Sequence, residues 1–463
     1  MTAAKRPIRI VHLGLGAFYR AHACTYLQKL EGWGVLGVSL RSAAVRDAMR
    51  QRNYRYMAAA LTPDGMDLQQ IDVVQDMLVA PEDPAAVIAA LADPTVSLVT
   101  LTVTEKGYCH DPATGTLNPD HAGVRSDIAN AMAQTAPGFL VRGLQARRAA
   151  ELSPFTVLSC DNLPTHGAVA RRFTIELASH IDPDLADWIA AEVAFPSAMV
   201  DRIVPATTAE DIARIAALSG QTDVAPVVHE PFTQWIITDE FAGDLPDLAA
   251  VGAKIFPDIS PFERMKLRML NGAHSALAYL GSLAGFETVA GAVADDAIAR
   301  YLHALWHDET IPTLTAPPDT PLEDYASALL SRFANPGIQH RLSQIAMDGS
   351  QKLPQRLLGT VEARLAQGGR IDALLLAIAG WIAYTANQSD DADLMAAKLR
   401  DCHTNDPRQT VRNVLSVSAI FKDTLSAQII DPLSDVYTEL TQKGAHNMLT
   451  ALAHAMTLKE TRT

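Results

Sequence analysis

The stretch IRIVHLGLG, residues 8–16, is an apolar run, rich in β-branched residues, that ends in glycines. It predicts a buried strand and a tight turn, and the helix-like segment RAHACTYLQKL follows. This order places backbone N–H groups where a dinucleotide pyrophosphate would rest. Tyr19 replaces the third glycine of the GxGxxG fingerprint. The strand–turn–helix context therefore supports dinucleotide binding more than the motif does, and the alternative is a simple strand-ending turn.

Strands and helices continue to alternate after this first turn. Apolar runs at 33–42, 95–107 and 155–162 predict buried strands, with helical segments between them. Alternation of this kind is typical of a parallel, doubly wound sheet. Beyond about residue 255 nearly every segment is helical. We therefore predict an α/β protein with a Rossmann-type dinucleotide-binding domain over 1–255 and a mainly helical substrate and catalytic domain over 256–463.

The composition excludes several classes of protein. With 38 Lys and Arg against 52 Asp and Glu, the net charge of −14 argues against nucleic-acid binding. The four cysteines have no metal-binding spacing, which favours free thiols in a reducing compartment. The first residues do not have the pattern of a signal peptide, so none is expected, and no apolar run reaches 18 residues. We expect a cytoplasmic protein without metal or membrane contact, as a monomer or weak homo-oligomer.

The stretch ERMKLRMLNGAH, residues 263–274, places Glu263, Lys266, Asn271 and His274 on an otherwise apolar helix. At 100° per residue these four fall within roughly 140° of arc, so they can line one cleft. Oxidation of a secondary alcohol needs a base and donors for the developing alkoxide. A lysine of lowered pKa and an asparagine amide can supply them. The alternative is an exposed Glu263–Lys266 pair, a capped kink and a packed core histidine.

Seven ordered blocks resemble the polyol-specific long-chain dehydrogenases and reductases, the mannitol dehydrogenase family. They are IVHLGLGAFYRAH, TLTVTEKGYC, SCDNLPTHG, FPSAMVDRIVP, EPFTQWIITDEF, KLRMLNGAHS and DGSQKLP, and they span nearly the whole chain. The resemblance implies metal-independent, NAD-dependent interconversion of a secondary alcohol and a ketone. The implied substrate is an open-chain sugar acid or polyol.

The resemblance also implies roles for individual residues. It makes Lys266 the catalytic base and Glu263 the carboxylate that passes the proton outward. The other implied catalytic or substrate-binding residues are Asn162, Asn271, His274, Asp201 and Lys352. From the residues alone, we would expect Asn162 to be a strand-end turn residue and Asp201 a salt-bridge partner of Arg202. Lys352 would be a solvated loop lysine.

The cofactor prediction leaves one question open. The predicted cofactor contacts are Gly14, Gly16, Ala17, Phe18, Arg41 and Glu105. No acid ends the second strand to hold a ribose 2′-hydroxyl, because VSLRS offers Arg41 and Ser42 there. Since an arginine can accept a 2′-phosphate, NAD is predicted with NADP left open.

Two positions bear on the substrate. The family's mannitol enzymes carry an arginine eight residues before the position of Lys352, whereas this chain has Gln344, with Arg341 one helical turn away. They tend toward glycine at the position of Lys106, where an added cation would suit a carboxylate. The EKGYC form is more similar to the mannonate oxidoreductase (fructuronate reductase) branch. We therefore expect D-mannonate and D-fructuronate as substrates, with mannitol and fructose as the alternative.

Two other classes of function stay open. A non-catalytic dinucleotide-binding protein would need Gly14 and Gly16 but not Lys266, and the intact set of polar residues argues against it. A short-substrate 3-hydroxyacid dehydrogenase would also use a lysine and an asparagine on a helix. The remaining sequence blocks fit that class poorly.

Overall fold

The computed structural model describes residues 5–103, 107–110, 115–162 and 165–460. The chain divides into unit 1, Met1–Ser260, and unit 2, Pro261–Thr463. The change of sequence pattern near residue 255 falls on the last strand of unit 1.

Unit 1 is built around a five-stranded parallel sheet. In spatial order its strands are β5 (Val74–Val79), β2 (Gly34–Ser39), β1 (Ile8–Leu13), β6 (Leu98–Leu101) and β7 (Thr156–Ser159). This is the strand order of a doubly wound dinucleotide-binding sheet, whose ligand crevice lies beyond the carboxyl ends of the strands where the order reverses. The predicted Rossmann-type α/β fold is confirmed.

The strand expected over 95–107 is shorter than its apolar run suggests. It ends at Leu101, because its two neighbours end level with it. Leu101 pairs with Leu13 of β1 on one side and with Ser159 of β7 on the other. Beyond that point an extended strand would have no partner in the sheet.

Two three-stranded sheets and short helices complete unit 1. One sheet contains β3 (Tyr56–Thr62), β4 (Gly65–Ile71) and β9 (Val227–His229), and the other contains β8 (Ala198–Asp201), β10 (Gln234–Thr238) and β11 (Lys254–Phe256). The helices are α1 (Ala17–Ala21), α2 (Ala23–Leu27), α3 (Ala44–Arg50), α4 (Pro84–Ala92), α5 (Ala122–Ala129), α6 (Ala136–Ala149), α7 (His166–Ile181), α8 (Pro183–Glu192) and α9 (Ala209–Ser219). The helix predicted after the first turn is divided at His22, whose φ of −109° and ψ of −85° interrupt it.

Unit 2 is helical, as predicted. Its α-helices are α10 (Ser260–Met265, which begins at the last residue of unit 1), α11 (Gly272–Leu283), α12 (Val289–Val293), α13 (Asp296–Ala304), α14 (Leu322–Phe333), α15 (Leu342–Ile345), α16 (Gly349–Leu353), α17 (Gly359–Ala366), α18 (Asp372–Thr385), α19 (Ala396–Asp401), α20 (Pro407–Leu415), α21 (Asp423–Lys443) and α22 (Ala445–Glu460). Three segments are π-helical: π1 (Lys266–Asn271), π2 (Leu305–Thr310) and π3 (Pro354–Leu358). Short 3-10 turns lie at Ile311–Thr313 and Asp390–Ala392. In the part of the chain that the structure describes, no helix is long and apolar enough to cross a bilayer.

A buried carboxylate caps one of the central helices of unit 2. Glu309 in π2 is 3% exposed and accepts hydrogen bonds from the backbone N–H groups of Ala373 and Leu374, at 2.8 Å each. These bonds favour the ionised carboxylate, but burial disfavours it more strongly and raises the pKa of Glu309 to about 7. The folded protein therefore holds a proton at Glu309 that the unfolded chain releases at lower pH.

We expect this carboxylate to make stability depend on pH. The contribution of Glu309 is greatest below its unfolded pKa of about 4.5 and is lost as the pH rises through about 7. The contribution of Glu309 to the free energy of unfolding differs by about 3 kcal/mol between these two limits of pH. Glu309→Gln should remove it, as measured by chemical denaturation at pH 5 and pH 8. The exposed Glu323→Gln in the same unit is the control, and identical pH dependence in wild type and Glu309→Gln would contradict the assignment.

Candidate active site

The turn after β1 can be formed only by glycine at its first position. Gly14 has a φ of 95°, which side-chain-bearing residues rarely adopt, and a Cβ there would lie 2.2 Å from the carbonyl oxygen of Thr102. The N–H groups of Gly14 and Leu15 both donate to the carbonyl of Val38, at 2.9 and 3.2 Å. At Gly16 a Cβ would meet nothing closer than 3.7 Å. Gly14 therefore shapes the turn, while the backbone at Gly16 remains open to a ligand.

A buried polar network supports this turn, and Tyr19, which replaces the third glycine of the fingerprint, packs against it. The Tyr19 ring stacks on His12 with centroids 3.4 Å apart. The His12 ring nitrogens lie 2.8 Å from Thr100 Oγ1 and 2.9 Å from Thr102 Oγ1, and Thr102 Oγ1 donates to the carbonyl of Gly14 at 2.8 Å. Burial lowers the pKa of His12 to about 3, so the ring is neutral. The sequence analysis missed these residues, although a histidine in one central strand, with one threonine in the next strand and another just after it, is an unusual signal.

Of the other predicted cofactor residues, Ala17 and Phe18 lie in the helix after this turn and Arg41 lies beyond β2, whereas Glu105 is outside the described residues. Ala17 is exposed at the start of α1, and the half-buried Phe18 stacks on His22 with ring centroids 5.2 Å apart. Arg41 is exposed just beyond β2. Glu105, and with it the predicted substrate contact Lys106, lies outside the described residues.

Two predicted substrate residues of unit 1 follow strand ends, and one histidine links their loops. Asn162 is exposed beyond β7, whereas Asp201 ends β8 with 2% exposure. His166 Nδ1 donates to the carbonyl of Asp161 at 2.6 Å, and its Nε2 accepts from the N–H of Ala198 at 2.8 Å. Because one ring nitrogen donates and the other accepts, His166 is a neutral imidazole in a single tautomer. The sequence analysis did not identify it.

The buried neighbour of Asn162 anchors the loop that carries it. The Asp161 carboxylate accepts hydrogen bonds from Tyr108 Oη at 2.8 Å and from Ser159 Oγ at 3.2 Å. Burial and the Asp161 carboxylate together raise the pKa of Tyr108 well above its usual range, so the phenol stays protonated as a donor. Asp161 and Tyr108 thus fix the backbone directly before Asn162.

The ion pair considered for Asp201 does not form. The Arg202 guanidinium donates instead to backbone carbonyls, including that of Phe232 at 3.0 Å. Burial lowers the pKa of Arg202 to about 10, which leaves it charged at neutral pH. Asp201 is therefore not neutralised by its neighbour in the sequence.

In unit 2, the helical segment that carries Lys266 is not a uniform α-helix. The angle of 100° per residue assumed from the sequence is therefore wrong over π1. The helices α10, π1 and α11 follow one another along the chain, and π1 spans Lys266–Asn271. Its backbone hydrogen bonds join residues five apart, so the turn is wider. Lys266 and Asn271 are five apart and thus come to the same side of the helix. This brings two of the predicted polar groups closer in angle than an α-helix would.

Side chains from the following segment hold the wide turn in place. Trp306 of π2, which is 2% exposed, donates from its Nε1 to the carbonyl of Met269 at 2.9 Å. Arg268 Nη1 donates to Thr313 Oγ1 at 2.9 Å and to its carbonyl at 3.2 Å. The π-helical turn is therefore bound to its surroundings at two points.

His274 is a neutral, buried ring beside this turn. It is 6% exposed and packs against Phe333 and His340, with ring centroids 4.6 and 5.4 Å away. Burial, together with the positive charge of neighbours such as Arg356, lowers the pKa of His274 well below its usual range. No hydrogen-bond partner reaches its Nε2 within the described chain. This nitrogen can bind a substrate hydroxyl without adding charge.

Asn271 is 7% exposed, and Glu263 and Lys266 are half-buried. Lys352 is also half-buried, and its Nζ donates to the carbonyls of Ile345 and Met347. Burial and the charge of Arg356 lower the pKa of Lys352 to about 8. Unit 2 therefore brings Lys266, Asn271 and His274 together on one helix. Unit 1 places Asn162 and Asp201 at strand ends.

Of the two positions compared with the mannitol enzymes, only that of Gln344 lies among the described residues, and it is on the surface. Gln344 on α15 and Arg341 just before it are exposed. Among the residues with described placement, no group of three or more His, Cys, Asp or Glu side chains could hold a metal ion.

Both units match domains of one family. Residues 8–250 match the Mannitol dehydrogenase Rossmann domain, and residues 258–441 match the Mannitol dehydrogenase C-terminal domain. The chain belongs to the mannitol dehydrogenase family. D-mannonate oxidoreductase of Escherichia coli (strain K12) is 41% identical over 96% of this chain and 95% of its own length. The family is one of dehydrogenases and oxidoreductases, and the chain is an enzyme of that class.

Two solved structures share this architecture. Pseudomonas fluorescens mannitol 2-dehydrogenase, in a ternary complex with NAD and D-mannitol, is 33% identical with a TM-score of 0.89 and covers 98% of this chain and 95% of its own. A D-sorbitol dehydrogenase in substrate-free form is 30% identical with a TM-score of 0.86 and covers 96% and 95%. The relatives thus include both sugar-acid and polyol enzymes.

The first glycine of the turn should matter more to stability than the second. Gly14→Ala combines a positive φ with a clash against the Thr102 carbonyl, and we expect it to lower the free energy of unfolding by about 2 kcal/mol or more. Gly16→Ala is the matched control and should change it by less than about 1 kcal/mol. Chemical denaturation measures both, and equal losses would show that this account of the turn is wrong.

Proposed function

We propose that the protein is an NAD-dependent dehydrogenase that interconverts D-mannonate and D-fructuronate, with Lys266 as the general base. The observation that carries the reaction is the arrangement on one helix of unit 2. There Lys266 and Asn271 share a side of π1, and the neutral His274 follows at the start of α11. A proton acceptor, an amide donor and an uncharged hydrogen-bonding ring are what alcohol oxidation requires.

Each of these groups has a distinct part in the proposed reaction. The uncharged amine of Lys266 takes the proton from the substrate hydroxyl as the C–H bond breaks. The Asn271 amide donates to the oxygen as it develops negative charge and becomes a carbonyl. His274 orients a neighbouring hydroxyl. Glu263, three residues before Lys266, accepts the proton and passes it toward solvent.

The turn of unit 1 fits the cofactor. Gly14 is confined by Thr102 in a conformation that only glycine tolerates, and at Gly16 a Cβ would meet nothing closer than 3.7 Å. The residues proposed to hold NAD are Gly14, Gly16, Ala17, Phe18, Arg41 and Glu105. NAD, when bound, supplies the acceptor for the hydride of the alcohol carbon. For the substrate, Asn162, Asp201, Lys352 and Lys106 are the further proposed contacts.

The sugar acid is preferred to mannitol for two reasons. The D-mannonate oxidoreductase is 41% identical to this chain, whereas mannitol 2-dehydrogenases among its relatives are 34% to 38% identical. In addition, Gln344 stands where the mannitol enzymes carry an arginine, and it is exposed. Mannitol and fructose are the second candidate pair, because the mannitol enzyme shares the fold over 98% of this chain.

A substrate panel tests this proposal. With NADH, D-fructuronate should be reduced with a kcat/KM at least about tenfold above that for D-fructose, since a tenfold preference needs only about 1.4 kcal/mol of selective binding. NADPH in parallel assays tests the cofactor. If NADH absorbance falls with none of the keto-sugars and keto-uronates, the proposed reaction is contradicted. A preference for D-fructose would favour mannitol and fructose as the substrate pair.

Replacement of the proposed base tests the mechanism. Lys266→Ala should lower kcat by about 10³-fold, within the range that general bases contribute, while NADH binding measured by fluorescence is retained. Arg264→Ala removes an exposed cation two residues away on the same helical segment and should leave kcat nearly unchanged. Substantial turnover by Lys266→Ala would exclude this lysine as the base.

A further inference from the structure

Arg356 is a half-buried cation that packs against the helix of Asn271 and His274. It lies in π3, and its Nη1 donates to Ser275 Oγ, the residue after His274, at 3.2 Å. The backbones are also close, because a Cβ on Gly272 would lie 3.0 Å from the Arg356 carbonyl oxygen. The guanidinium is therefore held beside the start of α11 from a separate segment of the chain.

No acidic side chain of the described chain pairs with this guanidinium. Its side chain makes one hydrogen bond, to a hydroxyl. Burial lowers the pKa of Arg356 to about 10, which still leaves it charged at neutral pH. A guanidinium has five N–H donors in a planar fork that matches a carboxylate with two parallel hydrogen bonds. Most of these donors thus remain available at a site where a charge without a counter-ion is costly.

The surroundings of Arg356 are positively charged as well. Among the groups that disfavour protonation of His274, Arg356 and Arg332 carry a positive charge, and Lys266 carries one in its protonated form, whereas burial lowers the pKa of His340 to about 4 and leaves that ring neutral. Arg356 acts in the same way on Lys352, where Asp348 and Asp393 oppose it. This local cluster contrasts with the net charge of −14 for the whole chain. A binding site for an anion in an acidic protein needs such a cluster.

We propose that Arg356 determines specificity by binding the carboxylate of the sugar-acid substrate through its guanidinium fork. This inference rests on the proposed function, because the carboxylate is what separates a sugar acid from a polyol or ketose. Lys352 and Lys106 are the cations predicted from the sequence, and Arg356 stands four residues after Lys352, just beyond the block DGSQKLP.

The position along the helix fits an open-chain substrate. In a keto-uronate such as D-fructuronate, the ketone and the carboxylate lie toward opposite ends of the carbon chain. Ser275, the contact of Arg356, is nine residues after Lys266. That is roughly 13 Å along an α-helix and somewhat less across a π-helical turn. Because the side chains of Lys266 and Arg356 are both long, the distance between the Lys266 amine and the Arg356 guanidinium is reduced to about the length of an extended six-carbon molecule.

Arg356→Gln tests the inference by a change of selectivity. We expect kcat/KM for D-fructuronate to fall about 100-fold, as for loss of one partner of a hydrogen-bonded charge pair, and that for D-fructose to change less than about threefold. If fructose turns over too slowly, inhibition by D-mannonate against D-mannitol gives the same comparison. NADH affinity should be unchanged, and Tm should not fall, because the variant removes a charge that has no counter-ion. Arg412→Gln removes an exposed arginine of the same unit and should leave both substrates within about twofold.

The outcomes separate this inference from the proposed function. A wild-type enzyme that does not reduce D-fructuronate contradicts the proposed function. A wild-type enzyme that does, with Arg356→Gln unimpaired or equally impaired on both substrates, overturns only the role of Arg356. If Arg356→Gln does not fold, Arg356→Lys decides, because it keeps the charge but loses the fork. We expect about a tenfold loss confined to the sugar acid, and unchanged selectivity would overturn the inference.

Discussion

The backbone hydrogen-bond pattern of π1 is the constraint on which the helical unit depends. A turn that bonds residues five apart is less favourable than an α-helical turn, and it persists only where its surroundings hold it. Here the indole of Trp306 donates to the carbonyl of Met269, and π1 contacts both π2 and π3. The other two π-helical segments thus both support π1. Their combined effect is to place Lys266, Asn271 and Arg356 around the start of one buried helix.

The site elements of unit 1 depend on a different constraint, which is the edge of a parallel sheet. Its strands end together, so the polar groups that follow them are collected without any long-range sequence signal. Buried hydrogen bonds then fix each loop: Thr102 bonds to the Gly14 carbonyl, and His166 ties the loop after β7 to β8. The side chains of Thr102 and His166 are both neutral, because burying a charge at these positions would cost free energy.

The sequence predicted the parts of this protein that follow from periodicity. The strand-glycine-helix start and the alternating pattern correctly predicted the doubly wound sheet and a helical second part. Strand lengths were less predictable, because β6 ends where its neighbours end and its own apolar run continues. The π-helical turn left no periodic signal, since its residues are individually ordinary for a helix. Arg356 was also missed, because its significance lies in the lack of an acidic partner in space.

The contrast between the net charge of −14 and the cluster around Arg356 has a consequence for how substrate arrives. An anion approaching from solution first meets the repulsive field of the whole protein and is attracted only within a few ångströms of the cluster. Ionic strength screens the distant repulsion much more than the contact between buried or half-buried groups, since the Debye length is about 8 Å at physiological salt. If the substrate is the proposed sugar acid, physiological salt therefore favours its capture, the opposite of the usual behaviour of an enzyme whose overall charge attracts its substrate.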